Sequence, residues 1–415
     1  MTHQVPQHLF RREAGRLVAA VTRLFGIHNL ALAEDVVQDA LCRALEVWKF
    51  RGAPEDPEAW LLAAAKNRAL DVLRRERTAR TFAPELSRLV DSEWTLRPTV
   101  EELLHPLAIK DDQLRMIFSC CHPRLPEEAQ VALVLNILCG FGVSEIASAF
   151  LSGPAAIEKR ITRAKKVLAG SARLFELTNA ADLALRLTAV QRAIYLLFNE
   201  GYHGSSAVRV ELCEEAMRLA SLLRDHALAR TPATLALCAL FCLHAARLPA
   251  RVDAQGNLSS LMDQDRSRWN AKLTAEGLKL LDESATGQEA SPYHLEAAIA
   301  AVHAKARTAG ETQWGEIVGL YDLLLRLTPS PVIALNRAIA VGQHQGPARG
   351  LEELRRIADR ERLALYPFYA AALAEYELRC GNPAKAREQF GVALSLARNP
   401  LERRFFEQRV QSVFS

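Results

Sequence analysis

VSEIASAFLSGPAAIEKRITRAKKVL, residues 143–168, holds two runs of helically spaced apolar residues separated by a Ser-Gly-Pro turn. Val143, Ile146, Ala147 and Phe150 recur at helical spacing and predict a short helix. Leu151-Ser152-Gly153-Pro154 interrupts it with turn residues. Ile157, Ile161, Ala164 and Leu168 then bury one face of a longer helix. An earlier helix carrying Leu133, Val134, Ile137 and Leu138 ends at Cys139-Gly140-Phe141-Gly142. This order and spacing predict a helix-turn-helix.

The longer helix is strongly basic. Lys159, Arg160, Arg163, Lys165, Lys166 and Arg173 stand against Glu158, a net +5. Two readings fit such a surface: a recognition helix laid into the major groove and on flanking phosphates, or a basic helix on a small protein-binding bundle.

Working outward to the N-terminal side, Leu32, Val36, Val37, Ala40, Leu41, Ala44, Leu45 and Trp48 predict one apolar helical stripe. Glu34, Asp35, Gln38 and Asp39 lie opposite, as either a solvated acidic face or a docking surface. The next helix opens at Asp56-Pro57, a capping carboxylate followed by a first-turn proline. Trp60, Leu61, Ala65, Ala69, Val72 and Leu73 are its expected buried side. Asn67, Asp71, Arg74, Arg75 and Thr78 share a polar stripe. Between residues 66 and 80, Lys66, Arg68, Arg74, Arg75, Arg77 and Arg80 outweigh Asp71 and Glu76 by four charges. That density attracts phosphates, although ordinary basic helices also carry it.

These motifs, in this order, resemble the sigma-70 family of bacterial RNA polymerase subunits, in particular the extracytoplasmic-function (ECF) type. AEDVVQDA (33–40), Trp60-Leu61 and NRALDVLRR (67–75) resemble sigma region 2. The resemblance implies that Glu34, Asp35, Gln38 and Asp39 dock on the clamp helices of the polymerase β′ subunit. It implies that Trp60, Asn67, Arg68, Asp71, Arg74 and Arg75 face the −10 promoter element. VSEIA (143–147) through RITRAK (160–165) resembles region 4. Glu158, Lys159, Arg160, Thr162, Arg163 and Lys166 would then read the −35 element, with the β-subunit flap as a protein partner. Ala155-Ala156-Ile157 departs from the family's hydroxyl-bearing pair at the start of that helix.

The expected organisation is all-α. Residues 8–80 form region 2, 81–110 a linker with Pro84, Pro98 and Pro106, and 111–172 the region 4 helix-turn-helix. Residues 178–415 form a long helical extension. Within it, Leu373, Ala374, Gly381, Ala386, Phe390 and Ala393 match a tetratricopeptide-like hairpin, with Gly381-Asn382-Pro383 as its turn. Leu335-Asn336-Arg337-Ala338 opens a degenerate neighbour. NEGY (199–202), DQDRSRW (263–269), PYH (292–294) and TPSP (328–331) resemble the extension of a sigma subgroup of this kind. The extension is expected to regulate activity and to bind a regulatory protein.

Bulk properties narrow the remaining classes. The net charge is only +4, so clustering of charge carries the argument. No apolar run is long enough for a membrane span and no signal core opens the chain, so a cytoplasmic, nucleoid-associated protein is expected. The eight cysteines are scattered and are all expected as buried reduced thiols; Cys120-Cys121-His122 lacks a second ligand pair for zinc. Asp263, Asp265, His294 and His303 read as capping and ion-pairing groups rather than an acid–base or metal site. No cofactor and no enzymatic activity are expected. The main alternative is a helix-turn-helix transcription activator with a helical-repeat sensor, which leaves the first block without a task. A helical scaffold without DNA contact is the third reading, at odds with two basic helices.

Overall fold

Residues rich in Ala, Leu, Arg and Glu favour helix at almost every position. The computed structural model accordingly consists of helices joined by short turns. It describes residues 7–26, 29–79, 111–150, 152–169, 180–203, 208–253, 257–287, 290–397 and 400–412. The expected linker at 81–110 lies outside them. Among the described residues the only extended pairing is an isolated bridge between Val252 and Leu258. The chain divides into two compact units. One comprises 1–197 and 226–229, the other 198–225 and 230–415.

The first unit begins with α1 (Gln7–Phe25), α2 (Leu30–Arg51) and α3 (Pro57–Ala79), each packed on the other two. Ala33, Val36, Val37, Ala40, Ala44 and Trp48 are the buried side of α2. Leu32 and Leu41 are only half-buried, and Leu45 is 55% exposed. The apolar stripe is thus narrower than its periodicity predicted: α1 and α3 cover the Ala44 and Trp48 side, and Leu45 projects away from them. The Asp56 carboxylate caps α3 by accepting from the Ala59 amide at 2.9 Å, as its position before Pro57 predicted.

Among the described residues of this unit α4 (Asp112–Cys120), α5 (Glu127–Ile137), α6 (Val143–Ala149) and α7 (Pro154–Ala169) come next. α5 is buried nearly all round, which requires neighbours on every side. One neighbour is α1: a Cβ added to Gly15 would lie 1.9 Å from the Leu138 carbonyl oxygen, so only glycine permits the approach. Arg23 of α1 reaches Asp112 of α4 at 2.7 Å. The two modules that the sequence separates by a linker are therefore packed together here.

Helix α8 (Ala180–His203) carries the division between the units, after Leu197. Within the first unit, its buried Arg186 donates to the Phe118 carbonyl at 3.0 Å. The second unit continues through α9 (Val210–Asp225), α10 (Pro232–Ala245), α11 (Leu248–Arg251) and a 3-10 turn at Arg266–Arg268. Next come α12 (Ala271–Ser284), α13 (Pro292–Lys305) and α14 (Trp314–Leu327). α10 is apolar on all sides and is wrapped by α9, α12 and α13.

The remaining helices stack in chain order, each on the next: α15 (Pro331–Gln345), α16 (Pro347–Arg355), α17 (Pro367–Arg379), α18 (Pro383–Ser395) and α19 (Pro400–Ser412). Ala374, Ala386, Phe390 and Ala393, read from the sequence as hairpin core, are buried. Gly381 turns the hairpin with φ +82°.

Six cysteines are buried, as expected for structural thiols. Cys42 is exposed and Cys380 half-buried, which corrects the expectation for those two. Cys42 lies on the uncovered side of α2, and Cys380 closes α17 at the rim of its hairpin. Burial pushes the Cys120 thiol up to about 12, with the Glu34 carboxylate adding to the effect, so it stays protonated at neutral pH.

Candidate nucleic-acid and polymerase interfaces

Helix α7 is built to turn one face out. Ile157, Ile161, Ala164 and Leu168 are buried at i, i+4, i+7 and i+11, which leaves the remaining positions to solvent. Glu158, Lys159, Thr162, Arg163 and Lys166 are exposed there. Arg160 differs: it is half-buried, pairs with Glu128 of α5 at 2.9 Å and lies 6.0 Å from the Phe150 ring. Its guanidinium braces the helix-turn-helix and is not free as the others are.

On α3, Asn67, Arg68, Asp71 and Arg74 are exposed along one side. Nothing is described for the Arg75 side chain. Trp60 is half-buried, its ring edge set against Trp48 at 5.5 Å and 60°. The expected −10 set thus shares one helix, with Trp60 anchored into the core at its base.

The acidic face of α2 is more structured than its sequence suggested. Asp35 and Gln38 are exposed, and Asp35 has no charged partner among the described residues. They continue through Cys42, Leu45 and Lys49, all exposed at helical spacing, so the uncovered Leu45 belongs to this face. Asp39 accepts from Arg68 Nε at 2.9 Å, tying the docking helix to the −10 helix. Glu34 accepts from Lys165 Nζ with both carboxylate oxygens, at 2.8 and 2.9 Å. Lys165 belongs to α7 and was outside the expected −35 set. No local periodicity signals a pair 131 residues apart.

Asp263, Asp265 and His294 take the ion-pairing and capping roles expected of them, whereas His303 neither caps a helix nor pairs with an acid among the described residues. Asp263 pairs with Arg409 at 2.8 Å and accepts from Ser260. Asp265 accepts from the Ser267 hydroxyl at 2.6 Å and caps the 3-10 turn by accepting from the Ser267 amide at 2.9 Å, and these two bonds, the hydroxyl's first, hold its carboxyl below the usual range. His294 closes a capping box with Ser291 at the start of α13. His303 is buried against Trp314. Among the described residues no cluster of three or more His, Cys, Asp or Glu side chains is placed to hold a metal ion. No described helix is long and apolar enough to cross a membrane.

Comparison with known proteins gives these surfaces a class. Residues 9–79 match sigma-70 region 2 and residues 115–168 match sigma-70, region 4. Proteins with this pair are non-enzymatic, DNA-binding transcription initiation factors, and the domains imply core RNA polymerase and promoter DNA as partners. Residues 186–285 match a family of unknown function, DUF6596. An uncharacterized protein of Rhizobium meliloti (strain 1021) is 39% identical over 398 residues, which span 95% of this chain and 92% of that protein. The chain belongs to the sigma-70 family, as an ECF-like factor with a C-terminal extension.

Proposed function

We propose that the chain directs core RNA polymerase to specific promoters and that its extension regulates this step. Region 4 lays Glu158, Lys159, Thr162, Arg163 and Lys166 on the −35 element, with Arg160 as a brace, and meets the β flap. Region 2 presents Asn67, Arg68, Asp71, Arg74 and Arg75, with Trp60 at their base, to the −10 element. Glu34, Asp35, Gln38, Asp39 and the exposed Leu45 face the β′ clamp helices. The observation that carries this reading is the outward basic face of α7 in the same unit as the half-acidic, half-apolar face of α2. An activator has use for the first surface and none for the second. On this reading the protein acts at the nucleoid in the cytoplasm and carries out no catalytic step.

The test is run-off transcription. Full-length protein with core polymerase is expected to produce promoter-specific transcripts, and protein alone to show no specific promoter binding. Specific binding without core polymerase would favour the activator instead. A chain ending at Leu197, checked for helix content by circular dichroism, is expected to change transcript yield. An equal yield would end the regulatory reading of the extension. The cut belongs after Leu197 because ending near residue 175 would strip Arg186 from the buried Phe118 carbonyl.

The Glu34–Lys165 pair gives a further expectation. Glu34 reaches a clamp helix only after this bridge opens. Both side chains are partly exposed, so the bridge is worth about 0.2–1 kcal/mol. Lys165→Gln is therefore expected to tighten core-polymerase binding, measured without DNA, by up to roughly fivefold. Weaker binding by the variant would remove the bridge as an obstacle to docking.

A further inference from the structure

We propose that the extension contains a buried binding site for a small oxyanion, a phosphate or carboxylate group, centred on the Arg247 guanidinium. The second unit gathers Tyr202 at the end of α8, His244 in α10, Arg247 and Arg251 at α11, Gln264, Arg266 and Trp269 around the 3-10 turn, and His303 in α13. Arg247 is 8% exposed. Its only side-chain hydrogen bond among the described residues runs from Nε to Gln264 Oε1 at 3.3 Å. The four N–H bonds on its two terminal nitrogens meet no protein acceptor there.

The surroundings add positive charge and donors. Arg247 and Arg266 lie 5.4 and 5.1 Å from the same Trp269 ring. Arg251 lies 4.3 Å from the Tyr202 ring. Arg266 donates to the His303 and Ala306 carbonyls at 2.7 Å and to Thr312 at 3.1 Å, yet its Nε has no acceptor. The indole Nε1 of Trp269 and the Nδ1 atoms of His244 and His303 are likewise buried and have no hydrogen-bond partner among the described residues. Among the described residues neither Arg247 nor Arg266 bonds a carboxylate, and Glu311 acts on Arg266 only through space. The acids nearest Arg266 in sequence are engaged elsewhere, Asp263 with Arg409 and Asp265 with Ser267, and Asp253, the acid nearest Arg247 in sequence, accepts from Asn257.

A buried guanidinium without an anion is strongly unfavourable, and ring faces offset only part of that cost. A lining of unused donors specifies a ligand made of acceptors. The planar fork of arginine matches the paired oxygens of carboxylates and phosphates, which an ammonium does not. Burial, followed by the neighbouring arginines, holds both histidines down at about 3. They are neutral at physiological pH, so the positive field comes from the arginines and does not switch with pH there. Three of these residues, Gln264, Arg266 and Trp269, come from the DQDRSRW stretch, for which promoter recognition supplies no task.

The site is tested on the full-length protein without polymerase, by equilibrium dialysis and thermal unfolding at constant ionic strength set with chloride. Inorganic phosphate and citrate are the two probes, and whichever binds more tightly identifies the ligand group. One of them is expected to bind saturably and to raise Tm, with a change in tryptophan fluorescence from Trp269. Arg247→Met is expected to weaken binding at least about tenfold and to abolish the Tm response. It should also raise the unliganded Tm, because it removes an uncompensated buried charge. Should that variant not fold, dialysis of the unaltered protein decides alone. No saturable binding of either probe would overturn the proposal, as would equal affinity in folded Arg247→Met, which would mark an adventitious ion only.

Discussion

Exchanging Arg163 and Lys166 for glutamate together should lower promoter affinity of the holoenzyme on the order of 10- to 100-fold while leaving the fold intact. Both side chains are exposed on α7, and neither belongs to the buried set of Ile157, Ile161, Ala164 and Leu168. Removing two phosphate contacts should also make the dependence of log affinity on log salt shallower by about two. Filter binding at several salt concentrations reads both quantities. An unchanged slope at reduced affinity would point to base contacts rather than phosphates, and unchanged affinity would exclude this face from DNA. Arg160 is deliberately spared. Reversing it would set two carboxylates against each other at Glu128 and confuse a folding defect with a binding one.

The second large effect is expected on the acidic face of α2. Asp35→Arg should weaken binding to core polymerase by about tenfold, mostly through slower association at low salt. Asp35 is the cleanest probe on this face, because Asp39 already pairs with Arg68 and Glu34 with Lys165. Reversing Asp39 would push Arg68 away and disturb the −10 surface at the same time. Fluorescence anisotropy with labelled protein and core enzyme measures the change. Affinity equal to that of the unaltered protein would remove Asp35 from the docking surface. The exposed Leu45, one helical stripe further along, should lose a similar amount as Leu45→Asp if the face meets an apolar patch.

The parts legible in the sequence are those that recur at a fixed period or have a local cause. Ile157, Ile161, Ala164 and Leu168 recur at the helical period over about three turns, and all four are buried. Asp56 before Pro57, and Gly381 before Asn382-Pro383, are local punctuation with local causes, and both act where they stand. Periodicity fails where the neighbour decides. Leu45 keeps the spacing of Ala44 and Trp48, but no helix covers it. Cys42 fails for the same reason. Pairings between distant segments leave no trace in a window of residues. Glu34 with Lys165 and Arg23 with Asp112 arise from the packing of whole helices. The arginines around Trp269 were visible only as a composition, because what distinguishes Arg247 and Arg266 is that neither hydrogen-bonds a carboxylate among the described residues.

Helix α10 has a consequence for synthesis of the chain. It is apolar all round, and part of its cover, α12 and α13, lies downstream and ends at Lys305. The ribosome must therefore add 60 residues after Ala245 before the cover is complete. At ordinary elongation rates that interval lasts about 3–12 s. Throughout it a greasy cylinder lacks the surfaces that shield it, while the promoter-binding modules upstream have already been made. Nascent chains arrested in this interval should be sticky and good clients for holdase chaperones. Chains arrested before Pro232 should not be, since the segment that makes them so does not yet exist.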